Sequence, residues 1–512
     1  MRRWVQFAAS AVAALTISVG WLFEPQLGTT AVRALGSLID SAAGGLSPFK
    51  DDADQRVVAG LRRWLPPGSS VDLGSVIVDK TNQSVQLTDV VMRTDDGNAL
   101  TVKHISLEGM RPLGGWISEV DRIIAHEVTF RKADGRSIQF ESLVISKPDL
   151  TTVERPQAHG WYEMFSRIEF DTVEATRIEM HLEHADSFTM DRLSIREMRG
   201  GKLASVDIAD LVILGAPTPS GRPYALTMRR FALAGLALDR LANEETAEAD
   251  RMTQANRGAL VLTPRTNIAP FDSMSVGELA IEINGVPLIT LSALSVKAPS
   301  PQGDLDQTIQ SSILDLAIDR RIDRVLQRTL DKLGYERVVL SGDATFNTST
   351  NLRILTGLIT VTAEDIGMLR LTLVIELNDG DFFGKTWSAS LSSALGSIKI
   401  QSFDLSFGDR GLVDHVVTTW ARQKYEDRAE ALAELEHAIS DSGAQEIDRS
   451  ENPLPRLSAD LRRALTILLR RPGEIEVSAN PTQPVSIADA AAIDPMDLQA
   501  AQHLLGISIA AH

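Results

Sequence analysis

From Val71 onward, apolar side chains recur at every second position. The clearest runs are Val71 and Leu73, Val76 and Val78, Val85–Met92, Leu100–Leu107, Ile138–Ile145 and Phe188–Ile195. Further runs are Val128–Phe130, Ile168–Val173, Ile178–Leu182, Val206–Leu214, Leu226–Leu238, Leu279–Ile283, Ile289–Val296, Val338–Phe346, Leu358–Val361, Leu369–Leu377 and Ile398–Phe407. A period of two gives a strand one apolar and one wet face, the habit of antiparallel sheet. Turn residues separate the runs: Asp96-Gly97, Asp134-Gly135, Gly200-Gly201, Gly221-Arg222-Pro223 and Asn284-Gly285. Asp-Gly and Asn-Gly in such places predict hairpins whose central residues hold positive φ.

Many runs share a finer pattern, in which two alternating apolar residues are followed by a step of three and then two more. Leu100/Val102/Ile105/Leu107, Ile138/Phe140/Leu143/Ile145, Phe188/Met190/Leu193/Ile195, Ile289/Leu291/Leu294/Val296 and Ile398/Ile400/Phe403/Leu405 all follow it. A step of three reverses the face of a regular strand unless a bulge absorbs one residue. The pattern therefore predicts bulged, strongly twisted strands in a sheet that curls. The copies are irregularly spaced, which excludes a fixed-period solenoid.

Helical periodicity appears elsewhere. Thr30–Ala43 is mildly amphipathic, and Asp51–Leu65 is a helix stopped by Pro66-Pro67-Gly68. The polar stretch 243–256 is a loop or short exposed helix. After the breaker at 299–303, residues 304–333 read mainly as helix. Leu412, Val416, Trp420, Leu432, Leu435 and Ile439 predict one long acidic helix, and Pro455–Arg471 a second that stops at Pro472-Gly473. Ile475-Val477 returns to strand, and Asp494-Pro495 opens a short helix closed by Gly506. The fold class is mainly β with α: an N-terminal membrane helix, a long antiparallel curled meander, and helices in the C-terminal third. The expected divisions are 1–24 anchor or signal, 25–68 helical neck, 69–300 β meander, 301–410 helix plus second β region, and 411–512 helical region with closing strands.

The N-terminus gives the chain its setting. Arg2-Arg3 precede the apolar run Trp4–Phe23, which Glu24-Pro25 ends. About twenty apolar residues cross a ~30 Å hydrocarbon core, and the arginines favour the cytoplasmic side. A cleaved signal peptide shares this layout. Small-residue sites at Val32-Arg33-Ala34 and Ser41-Ala42-Ala43 lie far from the apolar run, which favours an uncleaved anchor. The expected location is the inner membrane, single-pass, with the bulk in the periplasm.

Composition narrows the chemistry. A formal charge of −17 over 512 residues argues against nucleic acid and against a broad dock on anionic lipid heads. With no cysteine, the chain has no disulfide, thiolate metal site, iron–sulfur cluster or cysteine nucleophile. No Gly-x-Ser-x-Gly elbow is present. Gly380 precedes Gly384-Lys385-Thr386 one residue too closely for a phosphate loop, so Asn378–Asp381 reads as a hairpin turn. Glu179, His181, Glu183 and His184 form the densest group of ligand types, but on a strand His184 points away from the other three, and a solvated face explains them better. Asp51, Asp52 and Asp54 suit a helix start. Glu163 with Glu169, or Asp379 with Asp381, could form an acid pair, yet nothing places either in a cleft. The expectation is a non-enzyme with no cofactor and no metal.

The basic start, single apolar helix and long meander resemble the AsmA-like envelope proteins in architecture. Residues 330–512 look closer to an uncharacterised group of α-proteobacterial membrane-anchored proteins. That likeness rests on Lys332-Leu333-Gly334-Tyr335, Phe403-Asp404-Leu405, Asp409-Arg410-Gly411-Leu412-Val413, Arg471-Pro472-Gly473, Asn480-Pro481 and Pro484-Val485. The resemblance implies a curled β groove that binds or transfers phospholipid or another envelope lipid and maintains the envelope. It supplies no catalytic motif. The groove lining expected from the strand pattern is Val102, Leu107, Phe140, Ile145, Met190, Ile195, Leu291 and Val296. The alternative is an envelope scaffold or assembly factor that binds other envelope proteins. An apolar strand face left open favours the first; a filled one favours the second.

Overall fold

The computed structural model describes residues 70–79, 81–94, 97–109, 111–113, 117–148, 169–181, 187–215, 223–237, 271–298, 307–349, 354–377, 398–424, 427–441, 459–471, 473–486, 489 and 503–512. The expected anchor, the helical neck, the 243–256 stretch, Asn378–Asp381, Gly384-Lys385-Thr386, Glu163, Glu183, His184 and the 494–495 helix start lie outside them. Among the described residues, no helix is long and apolar enough to cross a membrane. The chain divides into two compact units, residues 1–261 and 262–512.

The described part of the first unit is all strand and turn. β1 (Ser70–Asp72) and β2 (Ser75–Asp79) both pair with one edge of β3 (Ser84–Arg93). The meander continues through β4 (Ala99–Glu108), and a small separate hairpin follows, β5 (Arg111–Leu113) with β6 (Ile117–Glu119). It then runs through β7 (Arg122–Arg131), β8 (Ser137–Ser146), β9 (Phe170–His181), β10 (Ser187–Arg199), β11 (Lys202–Gly215) and β12 (Tyr224–Ala237). β4 pairs with β7, and each later strand pairs antiparallel with its predecessor. The pairs do not close on themselves, so the sheet is open. Turn chemistry sets the hairpins. Gly200-Gly201 holds positive φ at both positions, as a tight two-residue turn requires, whereas at Asp134-Gly135 only the glycine does.

In four of the five runs the step of three has an explanation other than the expected bulge; in Ile398/Ile400/Phe403/Leu405 the bulge is there, with Gln401 the extra residue opposite Val374 and Ile375. In β3 the pairs Thr88↔His104 and Val90↔Val102 are both kept, while Asp89 and Lys103 drop out of the ladder together. The same paired omission recurs at Glu127 and Glu141, at Arg177 and Asp191, and at Asp210 and Arg229. One member of each pair holds left-handed backbone: Asp89 at φ 54°, Glu127 at 49°, Arg177 at 47° and Asp210 at 52°. Two consecutive side chains thus point outward in every strand at the same row, a transverse crease. Side-chain parity slips by one in all strands at once, so the apolar face stays apolar and the register survives. An ordinary bulge has one residue extra in one strand; here both strands carry it. In the second unit Glu278 (φ 48°) and Asp315 (φ 50°) repeat the device. True register shifts occur there, at Ile281/Glu282, between Ile313 and Leu316, and at Val374/Ile375.

The second unit is a meander of β13 (Ser273–Ile283), β14 (Val286–Lys297), β15 (Gln307–Asp319), β16 (Arg337–Ser349), β17 (Ile354–Ala363), β18 (Gly367–Leu377) and β19 (Ile398–Asp409). β20 (Glu474–Ala479) and β21 (Val485–Ser486) pair with β19, and β22 (Ile507–Ala511) with β20. The expected helix over 304–333 is corrected: Gln307–Asp319 is strand, and only Arg324–Leu333 (α1) is α-helix. Asp323 caps α1 by accepting from the Val325 and Leu326 N–H groups, and Gly334, at φ 77°, ends it. The expected single C-terminal helix is two, α2 (Leu412–Lys424) and α3 (Arg428–Asp441), followed by α4 (Ala459–Arg470). Val417, Ala421, Ala431, Ala464 and Leu468 of these helices form one core with Ile475 of β20, and Val477, Ile509 and Ala511 pack against it.

Candidate apolar site

The register gathers the expected lining residues into transverse rows. Val102, Phe140 and Met190 lie on one row, Val90–Val102–Val128–Phe140–Ile178–Met190–Leu211–Met228. Leu107, Ile145 and Ile195 lie on another, Val85–Leu107–Ile123–Ile145–Val173–Ile195–Val206–Leu233. A third row lies between them, from Leu87 through Ile105 and Leu193 to Phe231, and a fourth runs from Met92 through Ile138, Met180 and Phe188 to Leu226.

The middle of this face is buried in the first unit, while Leu143, Ile145, Val173 and Leu233 on the same rows are half-buried. Every residue of the Val102 row is buried, and Leu87 and Leu107 are 0% exposed. Values this low mean that the middle rows of this face are withdrawn from water. Ile145 alone of the six expected residues is half-buried. The opposite face carries charge along the crease. Lys103 Nζ lies 2.9 Å from Glu127 Oε1, and Arg177 Nε 3.0 Å from Glu141 Oε2. Hydrogen bonds from Lys147 and Arg199 hold the Asp171 carboxyl below the usual carboxylate range, and Glu127 raises the Lys103 ammonium.

The second unit presents the same kind of face in a different state. Val361–Leu369–Phe407–Ile475–Ala511 is one apolar row, and Ile359–Leu371–Leu405–Val477–Ile509 the next. At β20 and β22 these rows run under the helical core, through Ile475, Val477, Ile509 and Ala511. From β13 to β19 the face is mostly half-buried: Leu279, Leu291, Val296, Ile359, Leu369, Leu371, Leu405 and Phe407 all remain partly in water, while Leu355 and Ile375 at one end of it are buried. Ile313, paired across to Gly342 on this face, is exposed. The expected Leu291 and Val296 therefore sit on the open face, paired to Leu279 and Met274. Sequence reasoning did not single out the β17–β19 rows, although their alternation was plain.

No constellation for chemistry forms among the described residues. Glu179 and His181 both point outward from β9, as a solvated face would have them, and no group of three or more metal-type ligands exists there. A family model described as "Uncharacterized protein" matches residues 360–512, from the end of β17 through the helical cap to the last strand. No curated protein matches the chain.

Proposed function

We propose that this is a non-enzymatic, membrane-anchored protein of the cell envelope that binds or transfers lipid on the sheet face of its second unit. It sits single-pass in the inner membrane with its bulk in the periplasm. The observation that carries the reading is the apolar face from β13 to β19, whose central rows stay partly in water where the central row of the first unit's face is buried throughout. Contiguous exposed apolar surface of this kind marks a ligand or an interface, and antiparallel rows of Leu, Ile and Phe side chains match acyl chains. The architectural resemblance to AsmA-like proteins points the same way, as an analogy of fold. The buried central rows of the first unit favour a scaffold role for that part, in which its charged outer surface meets other envelope proteins.

The test is native mass spectrometry of the full chain purified from its own envelope in mild detergent, followed by extraction of whatever is bound. Near-stoichiometric phospholipid, lost in Leu371→Asp with the first unit's stability unchanged, supports the reading. A bare protein mass that takes up no lipid from added vesicles sinks it.

A further inference from the structure

The chain is strongly acidic, yet residues 319–337 hold six basic and four acidic side chains, a local charge of +2. Helix α1 lies in this segment and sorts its residues by face. Leu330 is buried and Leu326 and Leu333 are half-buried against the unit. On the far side Arg324, Arg328 and Lys332 are spaced i, i+4, i+8 and all are exposed. At 3.6 residues per turn they form one stripe, with Val325 beside Arg328 and Lys332. Val325 is 71% exposed. Neighbouring basic residues are neutralised, Arg320 on Asp331 at 2.6 Å and Arg321 on Asp319 at 2.7 Å. Arg324, Arg328 and Lys332 make no ion pair among the described residues.

The helix is held in place rather than loosely appended. Tyr335, just past its cap, stacks on His415 of α2 with ring centroids 4.2 Å apart and donates its hydroxyl to the Asp365 carbonyl at 2.9 Å. Helix α4 shows by contrast what a used-up basic face looks like. Its Ile467 is 39% exposed, but Arg463 lies 3.8 Å from Asp460 and Arg470 is forked onto Glu436.

We infer that the outer face of α1 docks on an anionic phospholipid surface. Free cations match phosphate head groups, and an aliphatic side chain among them suits a surface with hydrocarbon just beneath its charges. A single convex helix without a groove fits a broad surface better than a peptide. The net charge of the whole chain does not prevent this. With a Debye length of about 8 Å at physiological salt, the membrane feels the stripe nearest it and little else. The contact is with head groups and is separate from any acyl-chain binding on the sheet face.

Because the chain has no cysteine, Val325→Cys carries a unique fluorescent label. The labelled full chain is reconstituted in vesicles of phosphatidylcholine, alone or mixed with phosphatidylglycerol, each doped with a head-group nitroxide lipid. Quenching in the mixed vesicles, absent in phosphatidylcholine and relieved by high salt, is the expected result. Each lost cation weakens docking roughly fivefold. Adding Arg324→Gln, Arg328→Gln and Lys332→Gln together should therefore lower the docking equilibrium constant about a hundredfold, with an unchanged thermal melt. Equal quenching in both vesicle types, none in either, or no effect of the three substitutions overturns the inference. Protection of the label by polyglutamate but not by anionic vesicles overturns it in favour of an acidic protein partner. A negative result in the native mass experiment leaves this one standing, and the reverse holds too.

Discussion

The difference between the two sheet faces can be measured with a matched pair of substitutions, Leu107→Ala in the first unit and Leu371→Ala in the second. Leu107 is fully buried, between Val85 and Ile123 on its row. Removing its side chain forfeits the transfer free energy of three carbons and leaves a cavity in a buried core, which costs about 3–4 kcal/mol. Leu371 lies between Ile359 and Leu405 on a half-exposed row. It has less transfer free energy to lose, and water enters the gap, so no closed cavity forms. About 1–1.5 kcal/mol follows. With a urea slope of about 2.5 kcal/mol/M, the midpoints fall by about 1.4 M and about 0.5 M. Pulsed hydrogen exchange with mass spectrometry on delipidated full-length protein reads each unit through its own peptides. Equal losses at the two positions would show that the second face is packed as tightly as the first, and the lipid reading would fall with it. A loss under about 1 kcal/mol at Leu107 would refute the buried core.

Other perturbations test the strand geometry and the helical cap. A side chain at Gly342 would fall against the Thr360 carbonyl of the paired strand, so Gly342→Ala should cost about 2–3 kcal/mol and raise exchange in β16 and β17. At the left-handed Arg177, Arg177→Asn should be neutral or mildly stabilising, because Asn tolerates that conformation, whereas Arg177→Val should cost about 1–2 kcal/mol in the same urea assay. The fork from Arg470 holds the Glu436 carboxyl below its usual range. Its stabilisation is present above the unfolded value of about 4.3 and is lost as pH falls through the lower folded value. Exchange protection of α3 and α4 should therefore drop on acidification, with a shallower acid limb in Glu436→Gln.

Most strands were legible because their outer and inner residues alternate, and burial by a sheet needs nothing more. The missed strand β15 shows where that signal fails. Its Ile309, Ile313 and Leu316 fall at steps of four and three, the spacing of a helix face. The crease at Asp315 contributes that step, so the device that preserves the sheet counterfeits a helical period. The split between α2 and α3 did leave a mark: Asp427 accepts from the Glu430 N–H at 2.8 Å, and the Asp-x-x-Glu spacing is a capping signal. The grouping of Val102, Phe140 and Met190 on one row depends on register, which turns and partners fix jointly. Whether a face is buried depends on what lies above it, and identical alternation in β4 and β14 carries no trace of that. The free basic stripe on α1 needed the ion pairs of Arg320 and Arg321 to be seen first.

The crease also says how such a sheet can change over evolutionary time. One left-handed residue belongs to each of β3, β7, β9 and β11, and none to the strand that follows each of them at the same row. The repeating unit is therefore a hairpin, not a strand. A single-residue insertion inside one strand would turn half of its side chains the wrong way relative to both neighbours unless a bulge absorbs it, as at Gln401 in the second unit, so in the first unit length variation should favour the turns. A duplicated hairpin, by contrast, brings its own copy of the row and extends the sheet with inside and outside already matched. Relatives of this chain should differ in length by pairs of strands, and a designer wishing to widen or shorten the protein should cut it at the same joints.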